Sequence, residues 1–307
     1  MKQKKQNKWA VSIIVIGGLW LLSILFSSIV GTMFGVGNVQ GNVALIPIKG
    51  AIYSEEMSTF GERTTSSTNV VELIEKANKN PSIKAIIFEI NSPGGTPVAS
   101  DEIANAIKKT NKTTVSWIRD IGTSGAYWIA SAADVIVANR MSITGSIGVI
   151  GSYLEYSGLL KHFNVTYQRL VSAKHKDMGS PFRSLTPEEE QLFKQTLSII
   201  HNYFVEEVAT NRKLSKDKVA KLADGRFFLG AQAKKLGLVD ILGGKEDAIN
   251  YIEQKLNITA EIIEYRGKKN LLDILSEILS KHAFLIGRGI GNAISQTGET
   301  EKIKLWT

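Results

Sequence analysis

Short apolar runs alternate with helix-period segments through the middle of this chain, and that alternation narrows the fold more than any other feature. Ile83 to Ile90 carries Ile86, Ile87 and Phe88 without interruption, the pattern of a strand buried on both faces. Val98 to Lys109 then has amphipathic helical spacing, and Thr113 to Ile118 reads as a strand. Tyr127 to Ala133 continues a helix from Ser124, and Val135 to Ala138 is a further strand. Upstream, Val43 to Ile48 reads as a strand and Val70 to Asn78 as a helix. Strand and helix at such short intervals predict an α/β fold of stacked β-α-β units with a mostly parallel sheet.

The pattern loosens further along. Val165 to Leu170 reads as a strand, with a loop over 172–185 after it. Thr186, Pro187 and Glu189 together make a capping box with proline at the first helical position, so a long helix is expected to about Asn211. Ala231 to Leu236 and Glu246 to Leu256 read as helices, Leu238 to Ile241 and Glu261 to Tyr265 as strands. Gly61 to Asn69 is polar and reads as a flexible loop. The expected division is a basic tail over 1–8, an apolar segment over 9–30, a glycine-rich linker over 31–41, one domain over 42–270 and a C-terminal tail over 271–307.

Trp9 to Val30 holds 22 residues and no charge. As a helix it would be about 33 Å long, against a hydrocarbon core of about 30 Å. Lys2, Lys4, Lys5 and Lys8 precede it, and no Lys or Arg follows until Lys49. That asymmetry predicts an uncleaved single-pass anchor in the cell membrane, with the N-terminus cytoplasmic and the rest of the chain extracytoplasmic. A cleaved signal peptide fits less well, because its apolar core is usually about 7–15 residues. The same four lysines supply half of the net charge of +8, so the basic balance does not argue for nucleic acid. The absence of cysteine excludes disulfides, thiol catalysis and thiolate metal sites.

Residues able to do chemistry fall in three places. Thr123-Ser124-Gly125-Ala126-Tyr127-Trp128 puts a serine between a strand and a helix, where it would project from the end of a sheet; an ordinary helix cap explains such a serine equally well. Asn91-Ser92-Pro93-Gly94-Gly95 is a turn whose free amides suit a developing oxyanion, and it is also simply a turn. Ala173-Lys174-His175-Lys176-Asp177-Met178 offers a lysine base, or a solvated charged loop. A lysine base must be neutral, which takes burial or a cationic neighbour. Thr144 to Gly151 lacks the Gly-Lys-Ser/Thr ending of a phosphate loop, and Ser146 within it is a rival nucleophile or a partner for the lysine. A Ser-His-Asp triad through His175 or His162 stays open on spacing alone.

Taken in order, these motifs resemble the short form of the signal peptide peptidase A (protease IV) family over nearly the whole chain. The resemblance also rests on Ile143 to Gly148, on Asp224-Gly225-Arg226-Phe227-Phe228 and on Ala231 to Asp240. It implies a Clp protease/crotonase-like fold and a serine endopeptidase with a Ser-Lys dyad. Ser124 falls on the nucleophile, Lys176 on the general base, Gly95 and Gly125 on the oxyanion amides, and Ser146 on a serine that orients the lysine. The implied substrates are signal-peptide remnants and other apolar unfolded segments, with no metal or cofactor. The implied assembly is a homo-oligomeric ring, octameric by resemblance, in which Ser124 and Lys176 come from neighbouring protomers. Ala126 departs from the family, where a second glycine is common. A silent membrane scaffold and a crotonase-like acyl-CoA enzyme are the competing classes; an extracytoplasmic domain would have no CoA to meet.

Overall fold

The computed structural model describes residues 16–24, 41–55 and 64–266. The expected anchor therefore lies largely outside the described residues. Residues 16–24 are helical with exposed side chains, and among the described residues no helix is long and apolar enough to cross a membrane. The linker over 31–41, except Gly41, and the tail over 271–307 also lie outside them.

The central strands are β1 (Val43–Lys49), β4 (Ala85–Ser92), β5 (Thr113–Thr123) and β6 (Val135–Ala138), flanked by β9 (Ile241–Leu242) and β10 (Ile262–Glu264). They lie in the order β10-β1-β4-β5-β6-β9, every neighbour parallel. Side chains alternate across this sheet as the period of two requires. Ala44, Ile46, Ile48, Ile86, Phe88 and Ile90 join one core cluster; Val43, Leu45, Ala85, Ile87, Val115 and Val137 join the other. Both faces being covered, the strands read as unbroken apolar runs. Burying each such side chain contributes about 1.5–3 kcal/mol.

Helix α1 (Ser67–Lys79), α2 (Pro97–Lys108) and α3 (Gly125–Ser131) pack on the first face with part of the long α5 (Pro187–Arg212). Helix α8 (Lys245–Leu256) covers the second face with Ala248 and Ile252. The start of α5 is the expected one: the Thr186 hydroxyl accepts from the Glu189 amide, and Glu189 accepts from the Thr186 amide in return.

One strand carries two partners. The first part of β5, Val115 to Ile118, pairs with β6. Its end, Ile121 to Thr123, pairs instead with the short parallel strand β7 (Ile143–Gly145), which pairs antiparallel with β8 (Phe227–Leu229). A small separate sheet of β2 (Ala51–Tyr53) and β3 (Thr64–Ser66) lies beside the turn after β4, with Ile52 bridging to Gly95. The described elements are completed by α4 (Ser157–His162), α6 (Lys216–Leu222) and α7 (Gly230–Leu236).

Three expectations need correction. Val165 to Leu170 is not a strand, because no sheet edge lies beside it; Val165 and Leu170 are exposed, and β-propensity without a partner strand forms nothing. Leu238 does not begin a strand; its amide closes the end of α7 on the Ala233 carbonyl at 2.8 Å, after Gly237 turns left-handed, so pairing waits until Ile241. Within the polar stretch 61–69, Gly61 to Arg63 lie outside the described residues, Thr64 to Ser66 form β3, and Ser66 caps α1.

Candidate active site

Ser124 stands where β5 ends. Thr123 is its last paired residue, and the Ser124 amide still donates to the Gly145 carbonyl at 2.9 Å. The backbone then turns to φ 53°, ψ −128°, a region a residue with a side chain rarely occupies. Such a conformation costs on the order of 1–3 kcal/mol and persists only where its surroundings impose it. The Ser124 carbonyl accepts from Tyr127 and Trp128 and starts α3, but its hydroxyl makes no capping bond. The ordinary cap role therefore does not account for this serine.

The turn after β4 is pressed against Ser124. Gly94 has φ 102°, and a Cβ there would lie 2.8 Å from the Gly125 nitrogen and 2.9 Å from the Ser124 Cβ. A Cβ on Gly95 would fall 1.9 Å from the Ile52 carbonyl oxygen. A Cβ on Gly125 would meet the Ser100 hydroxyl at 2.2 Å and the Gly95 nitrogen at 3.2 Å. The backbone approaches at Gly94 and Gly95 require glycine, and at Gly125 the Ser100 hydroxyl fills the place of a side chain. They set the Gly95 and Gly125 amides side by side next to Ser124, and neither amide donates a hydrogen bond among the described residues.

These groups open onto a cavity of about 730 Å³. Ser124, Gly95, Gly125 and Ser146 all line it. Ser146 follows β7 as Ser124 follows β5; it has φ 50°, and its hydroxyl donates to the Gly225 carbonyl at 3.2 Å. Trp128 and Phe204 form an apolar wall, stacked with ring centroids 4.9 Å apart. His201 and Lys194 contribute from α5, with His201 Nε2 2.8 Å from the Ala223 carbonyl. The contribution of α5 was missed in the sequence, because its cavity-facing residues have no motif and lie about seventy positions from Ser124.

Lys176 is not brought to this cavity. It sits in a run of turns, exposed, and its amine has no partner among the described residues. The residues around it are tied down. Asp177 pairs with Arg169 and Arg183, Lys174 pairs with Glu188, and His175 Nε2 lies 3.4 Å from Glu188. The arginines hold the Asp177 carboxyl well below the usual carboxylate range. Neither His175 nor His162 lines the cavity, so a triad through either is not assembled within this chain.

The family model for peptidase family S49 matches residues 106–259. The protein named "Putative protease MJ0651" from Methanocaldococcus jannaschii is 34% identical over 247 residues, 80% of this chain and 78% of its own. "Putative signal peptide peptidase SppA" from Enterococcus faecium is 35% identical over 69% of this chain and 63% of its own. "Protease 4" from Haemophilus influenzae is 32% identical over 72% of this chain and 36% of its own. The chain thus spans less than two thirds of the last two relatives. Among solved structures, a mutant of the 1510-N membrane-bound stomatin-specific protease aligns with a TM-score of 0.47 at 13% identity, covering 75% of this chain and 99% of that one.

Proposed function

This chain belongs to peptidase family S49, and on that premise we propose that it is a membrane-anchored serine endopeptidase with Ser124 as nucleophile and Lys176 as general base. One observation carries the reading. Ser124 is held in a strained turn with its hydroxyl uncommitted, beside two unpaired glycine amides at the wall of a cavity.

The chemistry follows from those groups. The Lys176 amine, once deprotonated, takes the Ser124 proton as Oγ attacks a peptide carbonyl carbon. The Gly95 and Gly125 amides receive the oxygen as it becomes negative; one such donor is worth about 2.7–4 kcal/mol. Lys176 returns the proton to the leaving amine, and water then hydrolyses the ester to free Ser124. Ser146, one residue past β7, orients the lysine amine. No metal or cofactor enters.

Lys176 is exposed and away from the cavity of its own chain, which favours a base supplied by a second copy in a homo-oligomeric ring. The long exposed segment supports the same reading. Between Ile150 and Phe182 it presents Leu154, Phe163 and Leu170 to solvent, a surface that a neighbouring protomer would cover. The apolar Trp128–Phe204 wall suits the apolar side chains of signal-peptide remnants. The uncharged run over 9–30 holds the enzyme where such remnants are released.

The test is labelling with a fluorophosphonate probe. Wild type takes up the probe and Ser124→Ala does not. Equal labelling of both, or none of either in protein that cleaves peptides, rejects Ser124.

A further inference from the structure

A charge network flanks Lys176 without touching its amine, and its hub is Arg183. Arg183 donates from Nε to Asp177 Oδ2 at 2.9 Å and from Nη2 to Asp177 Oδ1 at 3.0 Å. The other edge of the same guanidinium grips Glu189, Nη1 to Oε2 at 2.8 Å and Nη2 to Oε1 at 2.6 Å. It also donates to the Asp177 backbone carbonyl at 3.3 Å. Glu189 is the third residue of α5 and closes its capping box, so one end of the network is anchored in a 26-residue helix. The Glu189 side chain is 3% exposed and that of Arg183 18% exposed. Arg169 adds a second two-pronged grip on Asp177, at 2.7 and 2.8 Å, and donates to the Lys174 carbonyl at 2.9 Å.

Lys174 and Asp177 are therefore pinned on either side of a lysine whose side chain is left alone. The side chains of Arg183, Asp177 and Glu189 are largely covered, so the bridge contributes to stability as well as geometry, since removing one partner leaves a buried charge unpaired. Two carboxylates bridged by one planar guanidinium in fork geometry fix direction as well as distance, which a lysine at 183 would not do.

We propose that Arg183 is the positioning residue for the general base: by locking Asp177 to the head of α5 it fixes the loop from which Lys176 projects. The inference rests on the reading of Lys176 as the base. Arg183 acts through the backbone, and it neither donates nor receives a proton in the reaction.

Four forms of the purified full chain test this: wild type, Arg183→Ala, Arg183→Lys and Lys176→Arg. Each is assayed for peptide turnover and fluorophosphonate acylation across pH, with hydrogen exchange measured over 172–186. Arg183→Ala is expected to lose about 10²-fold in kcat and acylation rate, the scale of a 1 Å misplacement. KM should stay near wild type, and exchange should rise in 172–186 alone. Added guanidinium ion at millimolar concentration should restore part of the rate. Arg183→Lys keeps the charge and should fold even if Arg183→Ala does not, yet remain slow. An Arg183→Lys or Arg183→Ala enzyme with the wild-type acylation rate overturns the proposal, as does a slow variant whose loop exchange is unchanged. If Lys176→Arg keeps its rate, the base assignment itself fails and the proposal with it. If Lys176→Arg is dead and Arg183→Ala is normal, only the positioning role is rejected.

Discussion

Ser124 and Ser146 each stand one residue past the last register pair of two adjacent parallel strands, Thr123 with Gly145, and both turn there into positive φ, at 53° and 50°. Parallel neighbours are about 4.8 Å apart, so the two serines leave the sheet side by side at the same level. In the proposed mechanism that spacing lets one lysine amine sit between a hydroxyl it deprotonates and a hydroxyl that steers it.

The first prediction separates chemistry from strain at Ser124. Ser124→Ala and Ser124→Gly should both lose peptidase activity by about 10⁴–10⁶-fold. Their stabilities should differ. Glycine relieves a conformation costing on the order of 1–3 kcal/mol, against about 0.4–1 kcal/mol for the extra freedom of its unfolded chain. Ser124→Gly should therefore be the more stable by about 1 kcal/mol in a urea titration. Equal midpoints would mean that the turn is not strained.

The second concerns the glycine contacts. Gly125→Ala should be destabilised and should lose about 10²–10³-fold in kcat, as oxyanion-donor variants do. The atom in the way is the Ser100 hydroxyl at 2.2 Å, so Ser100→Ala combined with Gly125→Ala should recover part of the stability. Gly95→Ala faces the Ile52 carbonyl at 1.9 Å, backbone that no side-chain change removes, and should be the more damaging. A double-mutant cycle in denaturant measures both points.

Lys176→Arg should be inactive, because a guanidinium keeps its proton. Wild-type turnover should rise toward alkaline pH, the direction set by a base that works unprotonated. Ser124→Ala and Lys176→Ala chains, co-expressed with different tags and purified through both, should show activity that neither has alone. A verified mixed oligomer without activity would place each dyad within one chain.

The pH behaviour of the Arg183 clamp has a definite sign. Arg183 first, then the Thr186 amide, hold the Glu189 carboxyl down to about 2. Its unfolded value is about 4.3. A carboxyl depressed on folding contributes stability above the unfolded value and loses it as pH falls through the folded one. The gap in Tm between wild type and Glu189→Gln should hold steady from neutral pH to about 5 and close between about 4.3 and 2. A gap that persists at pH 2 would assign the effect to shape rather than charge.

The topology prediction is simpler. Protease added outside wall-free cells should digest the chain beyond Val30, following the lysine asymmetry of the first eight residues. Complete protection until lysis would reverse the orientation.

The parallel core was legible because Ile86 to Phe88 and Val135 to Ala138 are buried on both faces, a demand that a sequence records directly as unbroken apolar residues. The start of α5 was legible because capping is local chemistry among Thr186, Pro187 and Glu189. Val165 to Leu170 misled because strand formation depends on a neighbour that the segment does not announce. At the site, the turn Ser92 to Gly95 and the serine at 124 were readable as motifs. Their convergence depended on Ile52 and Ser100, which only the folded backbone brings against Gly95 and Gly125. The Arg183 bridge escaped notice since arginine near carboxylates is common in any loop.

Neither core cluster contains any residue between Ile147 and Phe204. The segment carrying Lys176 runs from the Ser146 turn to the capped head of α5 without adding a residue to either apolar core. In the proposed mechanism the apolar core and the base thus come from different stretches of chain. Substitutions within this stretch would leave both core clusters untouched, so long as the Ser146 turn and the Arg183–Glu189 attachment survive. The domain is in this sense a stable chassis with a replaceable arm. An engineer could graft the arm of one relative onto the body of another and still expect a folded protein.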